Sequence, residues 1–320
     1  MLGSTLAQNV FSFEWEDALI LFLQTHFGDV GTFIATVFTY LGETVFIVGV
    51  FAVVYFWINK EAGKFAATNL MAASVFNPMI KNVALRLRPY MANDSIQCLK
   101  PVEKGDIMNV ELQGYSFPSG HSSASSTVYL SFARFFRKKA VWIVAIAATA
   151  LVGFSRFYLG VHYPTDVLAG WLLGVLIVVI VGSLQKTIQK KWILYLILLA
   201  VSVPGWFYCK SADFYTGFGM MAGFFAGSLF EERFIGFKDP EKWYIGLIRT
   251  VGTVAIYFAL NTLLKLPFPK EMLEAGDFTA HAIRAARYCV ILFAVVGLYP
   301  FAFRPLDRLL LRKKETKDEQ

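Results

Sequence analysis

The chain has 320 residues, of which 56% are hydrophobic and only 17% charged, and its mean hydropathy is +0.53. That balance excludes a soluble globular domain and a disordered chain, and the charges lie between long apolar runs instead of alternating through them. The net charge of +7 is therefore read by its location, as loop charge on a membrane protein, and no nucleic-acid partner is expected.

Along the chain, residues 9–41 mix Phe11, Phe13, Trp15, Leu19 and Phe22 with Glu14, Glu16 and Asp17, a pattern suited to helices lying in the membrane interface. No Lys or Arg precedes Lys60, so a cleaved signal with a basic start is not expected. Gly42 and Glu43 break the run before the first crossing. A bilayer core about 30 Å thick needs roughly 20 helical residues. Nine segments approach that length: 44–58, 65–85, 120–136, 141–158, 165–184, 192–208, 213–230, 243–264 and 283–303. The expected fold is all-α, a polytopic transmembrane helix bundle of about nine spans. Pro78 is expected to bend the second, with Asn77 satisfying freed backbone groups.

Alternate loops concentrate the basic residues. Lys60 with Lys64, Arg134 to Lys139, Lys186 to Lys191, Arg233 to Lys242 and the tail from Arg304 hold 18 of the 30 Lys and Arg residues. By the positive-inside rule this set is cytoplasmic, which puts the N-terminus outside and the C-terminus inside a cell membrane. The tail over 304–320 is expected to be disordered. Cys98, Cys209 and Cys289 make no metal-ligand spacing and read as free thiols. His26, His281 and the Glu231–Glu232 pair read as structural or solvated groups.

Three polar clusters fall at the outer ends of the second to fifth spans, where such residues are costly unless they line a site. In the first, Lys81 and Arg88 are seven residues apart, almost two helical turns, so the two cations are expected to share one helical face and to suit an anion. The second, Tyr115 to Ser123, runs through Pro118, Ser119, Gly120 and His121 into the third span. Amides at a helix start, opened by a glycine, make an anion pocket, and His121 at its lip can give a proton to a leaving oxygen. The third joins Ser155 and Arg156 to His162 in a turn and Asp166 in the next helix's first turn. A carboxylate there can orient the imidazole and leave its other nitrogen free to attack.

Written as Lys81-x6-Arg88-Pro89, Pro118-Ser119-Gly120-His121 and Ser155-Arg156-x5-His162-x3-Asp166, the clusters resemble the tripartite signature of the type 2 phosphatidic acid phosphatase superfamily at every position and in order. The resemblance covers roughly residues 40–185. It implies His162 as nucleophile, Asp166 as its partner and His121 as proton donor. Lys81, Arg88, Ser119, Gly120 and Arg156 would bind the phosphoryl oxygens, with no metal or other cofactor. The expected division is into interfacial helices over 1–42, a phosphatase core over 43–187, four added transmembrane helices over 188–303 that lie outside the resemblance, and the tail over 304–320. The expected substrate is a lipid phosphate met on the extracytoplasmic side: undecaprenyl pyrophosphate or a related polyprenyl phosphate, phosphatidic acid, or phosphatidylglycerol phosphate. Sugar-phosphate and sphingoid-base phosphatases of the same superfamily, a lipid phosphotransferase, and a lipid carrier without catalysis are the alternatives. The outer loop from Tyr90 to Gly114 overlies the expected site as a lid or headgroup selector.

Overall fold

The computed structural model describes residues 11–100 and 105–305, so most of the expected tail lies outside the described residues. Every regular element among them is helical. The long helices are α1 (Glu14–Tyr40), α2 (Thr44–Val53), α3 (Lys60–Ala84), α4 (Gly120–Phe136), α5 (Lys139–Tyr158), α6 (Pro164–Thr187), α7 (Lys191–Ser202), α8 (Ala212–Phe234), α9 (Trp243–Leu263) and α10 (Phe278–Phe293). The chain is thus an all-α, polytopic membrane protein.

Six described segments are long and apolar enough to cross a bilayer: Glu14–Tyr40, Lys139–Tyr158, Pro164–Thr187, Lys191–Tyr208, Trp243–Leu263 and Phe278–Pro305, with Thr44–Ile58 a shorter apolar helix. The expected spans at 65–85, 120–136 and 213–230 are helical but more polar. In α4 the reason is a run of serines, with Ser122, Ser123, Ser125, Ser126 and Ser131 all buried. Ser125, Ser126, Thr127 and Ser131 return their hydroxyls to carbonyls three or four residues back, which makes a helix of small polar residues acceptable away from water. Gly174 of α6 would place a Cβ 1.9 Å from Ser126 Oγ, so a glycine there lets the two helices meet.

α1 consists of two helical stretches joined at Gly28, whose backbone is non-helical (φ 47°, ψ −140°), a state open to glycine. The Tyr158 hydroxyl donates to the Gly28 carbonyl at 3.0 Å, and Gln24 Nε2 donates to the Gln97 and Tyr158 carbonyls.

The chain divides into two compact units. The first takes residues up to Ile47, Phe76–Ser183 and Phe207–Ser211, and the second takes Val48–Val75, Leu184–Trp206 and the chain from Ala212. In the first, Ile20, Leu23 and Ala35 of α1 share a buried core with Tyr90, Met91 and Ile96 of the outer loop and with Tyr158, Leu159, Val161 and Tyr163. In the second, α8 and α10 pack backbone to backbone. A Cβ on Gly219 or Gly223 would lie 2.1 or 2.2 Å from the Ala285 or Cys289 carbonyl oxygen.

Candidate active site

All eight residues singled out by their motifs lie in the first unit. His162 sits in the turn between α5 and α6, 2% exposed. Its Nδ1 is 3.6 Å from Asp166 Oδ2 and 3.3 Å from Ser116 Oγ, while Ser116 Oγ donates to that same Asp166 oxygen at 2.5 Å. The expected direct contact of carboxylate and imidazole is thus supplemented by a hydroxyl. The Nδ1 side is occupied, and Nε2 is the nitrogen left for chemistry. Burial, and then the charges of Arg88, Lys81 and Arg156, push the His162 pKa well below that of an ordinary histidine, so the ring is neutral at pH 7.

Asp166 is held from three further directions. Oδ2 accepts the Tyr163 amide at 2.8 Å, Oδ1 accepts from Arg86 at 2.7 Å, and its backbone carbonyl accepts the Ser119 amide at 2.9 Å. Arg86 is completely buried, with its other guanidinium nitrogen 2.5 Å from Glu16 Oε2 of α1. The guanidinium carbon lies 3.8 Å from the centroid of the Tyr163 ring and 4.4 Å from that of Phe11. Glu16 in turn accepts the amide and hydroxyl of Thr165 at 3.0 and 2.7 Å, satisfying a first-turn donor of α6. Two carboxylates flank one guanidinium, a closed arrangement in which every charge has a partner.

The phosphate-binding candidates reach the site by different routes. Lys81 and Arg88 do not share a helical face as the spacing implied. α3 ends at Ala84, Leu85 turns at φ 51°, and Arg88 precedes the one-turn helix Pro89–Ala92 in an extended state. Lys81 Nζ donates to the Tyr115 carbonyl at 2.6 Å. Arg88 donates to the Gln113, Gly114 and Val161 carbonyls, bracing the end of the outer loop. Arg156 donates to Thr39 Oγ1 at 2.6 Å, while its buried Nε has no hydrogen-bond partner.

Ser119 is the N-cap of α4, its hydroxyl accepting the Ser122 amide at 3.3 Å. A Cβ on Gly120 would meet only Asn77 Oδ1, at 3.7 Å, so its backbone is open to approach. Asn77 donates to the Pro118 carbonyl and Ser123 Oγ, tying α3 to this segment rather than facing a ligand. His121 Nε2 is 3.2 Å from Glu43 Oε1, off the line a good hydrogen bond requires, and Lys100 is 2.5 Å from the same oxygen.

Sequence spacing did not single out Glu16, Thr39, Glu43, Arg86 or Ser116. The available signal was one of cost, since Arg86 is a charge between Leu85 and Leu87. Nothing local says that it meets Glu16 across 70 residues.

The chain has two family matches, and the eight motif residues fall within the first. The PAP2 superfamily model covers residues 62–190, and the PAP2 superfamily phosphatase transmembrane extension covers 215–313, together more than two thirds of the chain. Undecaprenyl-diphosphatase of Sulfolobus acidocaldarius is 34% identical over 36% of this chain and 52% of its own length. Phosphatidylglycerophosphatase B of Bacillus subtilis is 41% identical over 25% of this chain and 44% of its own. Lipid A 4'-phosphatase of Porphyromonas gingivalis is 28% identical over 38% and 48%. The chain thus spans about half the length of these curated relatives. A crystal structure of a transmembrane PAP2-type phosphatidylglycerolphosphate phosphatase from Bacillus subtilis superposes with a TM-score of 0.46, at 27% identity, over 55% of this chain and 87% of that one. With the domain and its transmembrane extension both matched, and the three signature motifs converging in one unit, this chain belongs to the PAP2 superfamily.

Proposed function

We propose that the protein is a membrane lipid phosphate phosphatase that hydrolyses a phosphomonoester or pyrophosphate through a phosphohistidine on His162. The observation that carries this reading is a buried, neutral imidazole, held on its Nδ1 side by Ser116 and Asp166 and faced by Arg88, Lys81 and Arg156. Binding a phosphate needs the cations alone. An oriented neutral imidazole adds a nucleophile.

In the proposed reaction, His162 Nε2 attacks phosphorus, and the bond from phosphorus to the lipid oxygen breaks as the N–P bond forms. His121 protonates that leaving oxygen. The three cations, the Ser119 hydroxyl and the amides at the start of α4 stabilise the charge spread over the phosphoryl oxygens. Water, deprotonated by the now neutral His121, then attacks phosphorus, releasing phosphate and restoring His162. Asp166 stabilises the imidazolium character that builds on the ring, through Ser116 and by charge.

The relatives act, by their names, on undecaprenyl diphosphate, phosphatidylglycerophosphate and lipid A, which supports a phosphate carried on a lipid as the substrate class. The distribution of basic residues supports an extracytoplasmic site and a cytoplasmic C-terminus. For α1, its contacts support the interfacial reading despite its length. Glu16 near one end joins the Asp166 network, and Glu43 just past the other faces His121. Both ends of the helix therefore reach one layer of the first unit, as a helix bent at Gly28 and lying along a surface does.

The test is phosphate release by the purified full chain in detergent with EDTA, from a panel of lipid and sugar phosphates, beside His162→Ala. Metal-independent release from a lipid phosphate that the variant abolishes is the expected result. Equal release by both proteins, or none from any substrate, overturns the reading and favours a lipid carrier.

A further inference from the structure

Glu43 lies before the matched domain and outside the three motifs, yet its carboxylate faces His121. The turn that carries it is fixed from two sides. Tyr129 donates its hydroxyl to the Leu41 carbonyl at 2.6 Å. Gly42 packs where a Cβ would lie 2.6 Å from Val152 Cγ1 and 3.3 Å from His121 Cδ2, so only a glycine lets the turn approach the imidazole this closely. Lys100, on the outer loop, meets the same Glu43 oxygen at 2.5 Å.

The other charges around His121 are mostly cationic: Arg156 on α5 and Lys100 on the loop, with the neutral ring of His162 also facing it. Such surroundings oppose a protonated imidazole, and an imidazole without its proton gives nothing to a leaving alkoxide. Among the described residues, Glu43 is the carboxylate that meets His121. Its own pKa is driven far below the usual carboxylate range, chiefly by its contact with the His121 imidazole and also by the Lys100 ammonium, against the cost of burial.

We propose that Glu43 is the positioning residue for the proton donor, holding His121 by Nε2 so that Nδ1 presents the proton to the leaving oxygen. This rests on the phosphatase reading above. It gives each histidine its own acid partner, Asp166 for the nucleophile and Glu43 for the acid. The carboxylate does not touch substrate. It stabilises the imidazolium that gives up its proton as the bond from phosphorus to the lipid oxygen breaks, and that is re-formed when water attacks the phosphohistidine.

Leaving-group dependence separates this role from a structural one. A lipid alkoxide must be protonated to leave, whereas 4-nitrophenolate leaves without a proton. The experiment compares kcat/KM, which reports formation of the phosphohistidine, for dioctanoyl phosphatidic acid and 4-nitrophenyl phosphate. The full-length proteins are the wild type, Glu43→Gln and Glu43→Asp. For Glu43→Gln we expect a loss of about 10²-fold on the lipid and less than about threefold on the aryl ester, with Glu43→Asp recovering much of the lipid rate. An equal loss on both substrates by a folded Glu43→Gln protein, or no loss on either, overturns the proposal. Wild-type protein inactive on both substrates overturns the phosphatase reading itself, and this inference with it.

Discussion

In the second unit, Lys60 meets the fully buried Glu231 at 2.7 Å, Lys64 pairs with Glu61 and Glu232, and Lys191 closes on Glu232 at 2.9 Å. Three lysines and three glutamates form a cluster of ion pairs, and α8 of that unit packs on α10 through Gly219 and Gly223. In the first unit the buried charges instead run in a line, from Glu16 through Arg86 to Asp166 and on to the His162 ring. In both units these buried ions are paired, as a low-dielectric interior favours. The difference lies in where the network ends: the lysine–glutamate cluster of the second returns on itself, and that of the first ends on the Nδ1 side of the His162 ring. A buried ion pair alone is thus no sign of a site. A chain of them directed at a titratable ring is.

Substitutions can sharpen or break this contrast. The largest effect is expected from His162→Ala, which should lower phosphate release by about 10⁴-fold or more, while Glu231→Gln in the second unit should leave the rate per folded molecule nearly unchanged. Comparable losses from the two would end the distinction. Next comes Arg86→Met, which leaves Glu16 and Asp166 buried without their shared cation and should destabilise the first unit by about 3–5 kcal/mol. Chemical denaturation in detergent would read this, and adding Glu16→Gln should recover part of the loss. A silent Arg86→Met would show that the network holds nothing.

Gly223→Ala should cost about 1–3 kcal/mol, because its Cβ would lie 2.2 Å from a backbone carbonyl of α10 that cannot easily yield. The turnover of the surviving folded protein should match wild type, so a matching fall in kcat/KM would tie the second unit to catalysis. The smallest effect concerns pH. His162 is buried neutral with its pKa lowered from the ordinary 6.5. The unfolded chain therefore takes up that proton first as pH falls, and the stability that neutral burial contributes is present above about 6.5 and lost below it. The thermal midpoint should decline between pH 7.5 and 5.5, less steeply in His162→Asn, while the nucleophile stays unprotonated to lower pH than a free histidine would. An identical decline in both proteins would place the titration elsewhere.

The motif residues were legible because each motif is local. Pro118 to His121 start a helix, and His162 and Asp166 are one turn apart at the start of another. The long apolar helices were legible for the same reason, since about 20 apolar residues have few other places to be. Legibility failed where a break in the chain overrode periodicity. Lys81 and Arg88 look like one helical face, but Leu85 at φ 51° ends the helix between them. At α1, length and hydropathy alone fit a crossing, whereas the acidic residues of its first turn, Glu14, Glu16 and Asp17, gave the interfacial reading.

What the amino-acid sequence determined by itself is the solvent this protein lives in, its helical class, and the identity of the groups that can do phosphoryl chemistry, because composition, apolar run length and short motifs act within a few turns of chain. Which partner each of those groups has was decided only by the tertiary structure. A buried charge must be answered by an opposite charge or a hydrogen bond, but that requirement is silent about where in the chain the answer comes from. Here Glu16 answers Arg86 across 70 residues, and Glu43 answers His121 from a turn that exists only because Gly42 packs against Val152.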